Sequence, residues 1–513
     1  MERNEKIAWG GLVVVASLAV AVFWAFDALP FQDLPAHAGL IAMRHRFASS
    51  PFEQRHFVLA PHIGPYSVFR FLGEMLVRVT TPVGAVRALG TLPVVALPLA
   101  LLHARRLIHG DRSPTFGYLG VALSFGIMTL LGFASFLLGF AAMVVGVALW
   151  LDLLARVDAG KDARRRELVV TAYAPLLFVA HGHAFLLFLA CAGVATILGG
   201  LRWSRLVRLR ALVPALCLAA YVAWIERGAT TPPGSVPRVR PPIPRFQGVA
   251  DKLGLTVTST LMTRLGVDLL ASVLLLALAI VGAVATARAL RKTSAARTDP
   301  ARALLASAAF MTAVFAALPH AIGWFGFVDG RLVPAAVVLA LLAIDGRTPR
   351  VLALLRRLAP VLAVAVVGIV LVASARFQDE ARGYREVLGH VRGESRLLNL
   401  PLDPDSSVFV AHPFVHYDKL ALVDRPLVVS DVWFHQGSAL YPTAANPVLR
   451  LPSTYSESNL KSIDWPAYHL EDWDYVLVRI RPEGTPPSVP PSLALEASAG
   501  GWWLYRSTTG EHR

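Results

Sequence analysis

Residues 31–37 read Phe31-Gln32-Asp33-Leu34-Pro35-Ala36-His37 and follow directly on an apolar run from Ala8 to Phe26. Pro35 keeps Leu34 out of helical geometry and suits the first position of a new helix. If the apolar run crosses a membrane, Asp33 and His37 stand at the membrane surface just past its end. A carboxylate and an imidazole four residues apart at a helix start make an acid/base or metal-binding pair. The plainer alternative is that Asp33 caps the helix and His37 is an interfacial polar residue. Both readings require the run to be a span, and the rest of the chain decides that.

The chain has 513 residues, 55% of them hydrophobic and 16% charged, with a mean hydropathy of +0.55. Soluble domains carry about 25% charged residues, so the composition is that of an integral membrane protein. The net charge of +15 falls mainly in short loops between apolar spans, which argues against a nucleic-acid partner and fits the positive-inside rule. Cys191 and Cys217 both lie in apolar segments and read as small hydrophobes, not as a disulfide. Arg3 and Lys6 before the first apolar run mimic a signal peptide. The many spans that follow make a retained first helix the simpler reading.

A spanning helix takes about 20 apolar residues. Candidates are 8–26, 84–103, 115–132, 135–154, 168–181, 183–201, 208–225, 267–289, 303–320, 331–345 and 358–375. These give a mainly α, polytopic transmembrane bundle of about eleven spans. With the N-terminus inside, the short loops 103–112, 156–166, 202–210, 288–302 and 345–357 face the cytoplasm. They carry 21 Lys and Arg in 58 residues, against 11 in the 97 residues of the long outer loops 27–82 and 226–266. The asymmetry has the expected sign. It implies the inner (plasma) membrane of a bacterium, a cytoplasmic N-terminus and an extracytoplasmic C-terminal region. Tyr66 to Thr80 is apolar but holds Arg70, Glu74 and Arg78, which are costly at mid-bilayer. It reads as an amphipathic helix on the outer surface.

Three outer stretches carry candidate chemistry. His181-Gly182-His183 sits in a turn between two spans. In an extended turn, residues two apart point the same way and share a ligand; the alternative is a pair packed between helices against carbonyls or water. The loop 226–266 is proline-rich from Thr231 to Pro244, with Arg238, Arg240 and Arg245 interleaved. It is stiff and extended, either a phosphate-facing strap or a mobile cover. Arg331 opens a late span after Gly326-Phe327-Val328-Asp329-Gly330. An arginine there holds a lipid phosphate bidentately or snorkels to headgroups.

Residues 1–376 form the membrane part and 377–513 a soluble α/β domain. In the latter, 378–398 reads as an amphipathic helix, and 407–411, 420–429, 475–480 and 502–505 read as strands. His412, His416 and His435 are scattered, without metal-ligand spacing, and read as structural or surface residues. No Walker A loop, dinucleotide fingerprint, HExxH or GxSxG is present, so nucleotide hydrolysis and soluble cofactor chemistry have no support.

This layout resembles the GT-C superfamily of polytopic glycosyltransferases, in the branch of the protein O-mannosyltransferases and aminoarabinose transferases. The resemblance rests on Asp33 just past the first span. It also rests on a second span from Val86-Arg87-Ala88-Leu89 to His103-Ala104-Arg105-Arg106-Leu107, and on the span opening at Arg331 to Pro334. Asp33 stands without the adjacent acidic residue typical of the family. The following outer loop offers only Gly132-Phe133-Ala134-Ser135 where a second acidic motif is usual.

The resemblance implies transfer of a sugar from a polyprenyl-phosphate donor to a glycan, lipid or protein acceptor on the outer face. It makes Asp33 the catalytic base, with His37 orienting it or helping it hold a divalent cation. Arg331 would bind the donor phosphate, with His181, His183 and Arg87 as further substrate-binding candidates. The alternative is a polytopic transporter or flippase-like protein, or a non-catalytic one, handling lipid-linked substrates. No internal repeat is visible and the notable polar residues cluster near span ends, which favours an outer-face site over a translocation path.

Overall fold

The computed structural model describes residues 3–59, 64–228, 234, 243–260, 262–293, 296–323, 325–431 and 440–508. In chain order the main helices are α1 (Arg3–Ala21), α2 (Leu34–Arg46), α3 (Ser67–Leu76), α4 (Pro82–His109), α5 (Thr115–Leu123), α6 (Ile127–Leu130), α7 (Ala134–Asp158), α8 (Arg164–Ala180), α9 (Gly182–Leu198), α10 (Val213–Gly228), α11 (Val249–Thr258), α12 (Gly266–Lys292), α13 (Pro300–Ala317), α14 (Leu332–Leu342), α15 (Pro349–Glu380) and α16 (Tyr384–Gly389). Among the described residues, seven helices are long and apolar enough to cross a membrane: α1, α4, α7, the run Trp203–Ile225 that ends in α10, α12, α13 and α15. α9 and α14 are shorter apolar helices. The protein is therefore an integral membrane protein, and all eleven apolar segments are helical.

Two of the predicted spans differ in form. Segment 168–181 is the end of the 17-residue α8. Segment 115–132 is broken into α5 and α6. The Ser124 hydroxyl turns onto the Gly120 carbonyl (2.7 Å). At Gly126 a side chain would strike the Ser259 carbonyl at 2.5 Å, and the Ile127 amide donates to that same carbonyl (3.3 Å). The break thus lets the loop 226–266 enter the bundle, where the Ser259 carbonyl is paired with the Ile127 amide as a buried backbone group requires.

α4 starts where Thr81 accepts from the Gly84 amide (3.0 Å) with Pro82 behind it, and it stops at Gly110 in the left-handed region. α5 crosses it so closely that a Cβ on Gly120 would lie 2.4 Å from Pro98 Cα. The stretch Tyr66 to Thr80 forms the helix α3 over Ser67–Leu76: Phe69 and Gly73 are buried, Phe71 and Met75 are exposed, and Glu74 pairs with Arg44 of α2 (2.5 Å).

The C-terminal region departs from the sequence reading. The predicted helix 378–398 is instead the end of α15, a stop at Gly383 (φ +89°), then α16 and a strand. The sheet has five strands: β1 (Ser395–Pro401), β2 (Leu427–Val429), β3 (Tyr475–Arg479), β4 (Leu493–Ala499) and β5 (Trp502–Ser507), in the order β2-β1-β3-β5-β4. β1 runs parallel to β2 and β3; β5 is antiparallel to β3 and β4. The predicted strand 407–411 pairs outside this sheet. Arg264 donates to the Val408 carbonyl (2.7 Å) and Val410 to that of Met262 (3.0 Å). Of 420–429, only β2 is strand; Pro413–Leu420 and Ala421–Asp424 are helical turns.

Successive residues of a strand face opposite sides. Leu397, Leu477 and Leu504 join the core shared with the bundle. Leu398, Leu400, Val476, Val478 and Tyr505 join a second cluster with Tyr455, Tyr468 and Trp473. The long loop 27–82 adds its own tie, an antiparallel pairing of Phe57–Leu59 with Leu440–Pro442.

Candidate functional site

Asp33 is held by its backbone. Gln32 and Asp33 donate to the carbonyls of Leu130 (2.9 Å) and Leu131 (3.2 Å) at the end of α6. Gly132 at φ +80° lets the two turns meet, since a Cβ there would lie 2.7 Å from the Asp33 nitrogen. Pro35 occupies the first turn of α2, and the His37 amide donates back to the Asp33 carbonyl (3.0 Å). The Asp33 carboxylate makes no capping hydrogen bond to α2, so the capping alternative does not describe it. Instead Oδ1 lies 3.6 Å from Nε2 of His416. Burial lifts the carboxyl to about 6, against the opposing pull of His416 and Arg331.

Arg331 is 5% exposed at the start of α14. Its guanidinium carbon sits 4.1 Å from the Phe325 ring, 4.8 Å from Phe133 and 5.5 Å from Phe136. Nε and Nη1 have no hydrogen-bond partner among the described residues. The neighbouring Asp329 is already engaged: it accepts from Lys252 Nζ (2.9 Å) and pairs with His320 Nδ1 (2.9 Å). Arg331 acts electrostatically on Asp33, Tyr66, His181 and His183, so these five groups form one neighbourhood. His181 caps α9 by accepting from the Ala184 amide (3.4 Å), and its ring meets Tyr66 and Phe136 edge-on. His183 lies near Phe136 and Phe325.

The structure therefore brings Asp33, Arg331, His181 and His183 together. Arg87 stands apart from them and holds the chain instead. It donates to the carbonyls of Trp24 (3.3 Å), Phe26 (2.7 Å) and Asp27 (3.1 Å), closing the turn after α1. His37 packs its ring on Phe69 (4.8 Å). Arg238, Arg240 and His435 lie outside the described residues. Arg245 is exposed and reaches the Gly323 carbonyl (3.4 Å).

Sequence reasoning missed the groups behind Asp33. His416 Nδ1 lies 3.1 Å from Glu457 Oε2. Lys419 Nζ reaches both Glu457 oxygens (2.7 and 2.5 Å) and Asp418 (3.0 Å). Ser430 donates to Glu457 (3.1 Å), and Asn399 Nδ2 to Asp418 (3.0 Å). Glu457, Lys419 and Asp418 are all buried. Burial alone would raise Glu457, but Lys419 and His416 outweigh it and hold its carboxyl below the usual carboxylate range. Burial wins at Asp418, whose carboxyl is pushed up. The signal in the sequence was the crowding of His416, Asp418 and Lys419 into an otherwise apolar stretch.

The same residues test the divalent-cation expectation. Among the described residues no group of three or more His, Cys, Asp or Glu side chains is arranged to hold a metal ion. Asp33 Oδ1 already has the His416 imidazole 3.6 Å away, and the Arg331 guanidinium acts on the same carboxylate. Among the described residues that donor set does not fit a divalent cation.

No protein-family model matches the sequence, and no curated protein matches it. By structure the chain is similar to ArnT from Cupriavidus metallidurans in the apo state. The TM-score is 0.53 at 12% identity, over 98% of this chain and 99% of that one. It is also similar to the Archaeoglobus fulgidus oligosaccharyltransferase in the apo form (TM-score 0.45, 12% identity, 92% of this chain and 69% of that one). A third likeness is to arabinofuranosyltransferase AftD from Mycobacteria (TM-score 0.46, 15% identity, 99% of this chain and 40% of that one). The match to ArnT runs nearly the full length of both chains, and at 12% identity it shows the fold alone: the chain has the fold of ArnT.

Proposed function

We propose that this chain is a membrane glycosyltransferase that moves a sugar from a polyprenyl-phosphate donor to a hydroxyl acceptor at the outer face of a bacterial inner membrane. The observation that carries the reading is the buried, caged guanidinium of Arg331. Its Nε and Nη1 have no hydrogen-bond partner among the described residues, and its field reaches the Asp33 carboxylate. A buried cation with unmatched N–H groups is costly, and a donor phosphate supplies the missing acceptors. The start of α14 adds its own partial positive charge at the same place.

The chemistry follows from charge. The bond between the sugar C1 and the phosphate oxygen breaks, and the phosphate keeps the electron pair. Arg331 stabilises the charge that develops there. The acceptor oxygen forms the new bond to C1 and gives its proton to Asp33. The products are the glycosylated acceptor and polyprenyl phosphate. His181 and His183 line the neighbourhood as substrate-contacting groups. The acceptor is a glycan, a lipid or a protein. The loop charges support a cytoplasmic N-terminus and an outer C-terminal region.

The test uses proteoliposomes of the wild type and of Asp33→Asn, a panel of labelled polyprenyl-phosphate sugars, and a membrane extract as acceptor. The wild type is expected to label an acceptor and release polyprenyl phosphate, and the folded variant to be slower by about 10²–10⁴-fold. A wild type that transfers no label from any donor overturns the reading.

A further inference from the structure

We infer that His416, carried by the C-terminal region, is the positioning residue for Asp33: its imidazole bridges Glu457 on one ring nitrogen and the Asp33 carboxylate on the other. The inference rests on the proposed function, in which Asp33 is the base, and it makes the outer domain part of the site and not merely a cover.

The geometry is built from three sides. His416 Nδ1 is 3.1 Å from Glu457 Oε2 and Nε2 is 3.6 Å from Asp33 Oδ1. Of the common side chains, imidazole is the one that presents nitrogens in opposite directions on a rigid ring. Glu457 cannot swing away, since Lys419 and Ser430 hold both its oxygens. It therefore fixes the ring plane of His416, as a third group orients the histidine of a catalytic triad.

The stretch that carries His416 is docked on the Asp33 turn twice over. Tyr417 donates to the Leu29 carbonyl (2.8 Å). On α2, Gly39 lets the backbone approach so closely that a Cβ there would lie 2.9 Å from the Lys419 carbonyl oxygen. With His416 against Oδ1, the second carboxylate oxygen of Asp33 is left to take the proton of the acceptor hydroxyl. The bland alternative is a strut that joins two regions and leaves the chemistry alone.

Two measurements on the full-length protein separate these. The first is a thermal-unfolding double-mutant cycle in detergent over Asp33→Asn and His416→Gln. Non-additive shifts are expected for groups in contact; additive shifts overturn the inference whatever the protein transfers. The second is the transfer assay. His416→Gln and Glu457→Gln are each expected to lower kcat by up to about a hundredfold, as misplacement of a reacting group does, with KM unchanged. Added imidazole is expected to restore part of the activity of His416→Ala, which a strut would not permit. With wild-type transfer intact, an unchanged kcat in His416→Gln overturns the positioning role. A wild type that transfers nothing overturns the glycosyl-transfer reading itself, and the role of His416 with it.

Discussion

Helix α14 carries a buried arginine at each end, and the two are treated differently. At its C-terminal end Arg105 of α4 lies 4.2 Å over the Phe116 ring. It donates to the carbonyls of Leu342 (3.2 Å) and Ile344 and to Asp111 (3.0 Å). These are the orphan carbonyls and the partial negative charge that a cation at a helix C-terminus satisfies. At the N-terminal end Arg331 is caged as closely, 4.1 Å from Phe325. It faces partial positive charge, and two of its nitrogens have no acceptor among the described residues. Arg105 is tied into the fold and leaves only Nε without a partner among the described residues, whereas Arg331 leaves both Nε and Nη1, whose acceptors the proposed donor phosphate would supply.

Removing each arginine in turn tests that contrast most severely. Arg105→Met leaves Asp111 and two helix-end carbonyls without their cation, and is expected to cost about 3–5 kcal/mol of stability. Thermal unfolding reads this, and transfer per folded molecule should not change. Arg331→Ala should do the reverse. No hydrogen bond from its Nε or Nη1 to the described residues is lost, and relief of a buried cation with unmatched N–H groups offsets the ring contacts given up, so the melting temperature stays close to wild type, while kcat falls by about 10²–10³-fold. A strongly destabilised Arg331→Ala with normal kcat would show the two ends to be alike.

The pH profile sharpens the same contrast. As the proposed base, Asp33 would have to be unprotonated to take the acceptor's proton, and burial lifts it to about 6. Activity is therefore expected to rise about tenfold per unit up to that pH and to level off above it. Arg331 helps to hold the carboxyl down, so residual activity in Arg331→Ala should show its knee at higher pH. Arg105→Met should leave the knee in place, and a shift in both variants would remove Arg331 from the neighbourhood of Asp33.

How much of this is legible in the sequence depends on distance along the chain. The long spans α12 and α15 announce themselves by composition, and Asp33 by the proline turn beside it. β1 does not: Leu397, Leu398, Asn399 and Leu400 are all buried, and a parallel strand covered on both faces lacks the alternation that marks a half-exposed one. The partner of Asp33 is His416, on a different region of the chain, and no local pattern encodes that meeting. Gly132-Phe133-Ala134-Ser135 has no acid where the family resemblance leads one to expect it. Its contribution is a glycine for the Asp33 turn and a ring for Arg331, neither of which carries a charge signal.

The smallest expected effects come from the rings. Phe116→Leu and Phe325→Leu each take one aromatic face from a buried guanidinium, a loss of about 0.5–2 kcal/mol. The size is similar, but the readout should differ. Arg105 is also held by the Leu342 and Ile344 carbonyls and by Asp111, so Phe116→Leu has nowhere to register except in the melting temperature. Arg331 is aimed by its cage, with no acceptor among the described residues on Nε or Nη1 to hold it. Phe325→Leu therefore frees its side chain to wander, and the donor must then order it on binding. In the proposed reading that cost belongs to the encounter with the phosphate, so beyond the ring's own loss in stability Phe325→Leu should raise the donor KM by about threefold to tenfold. Equal effects of both substitutions on stability, with donor KM unmoved, would mean that the rings at Arg331 serve packing alone.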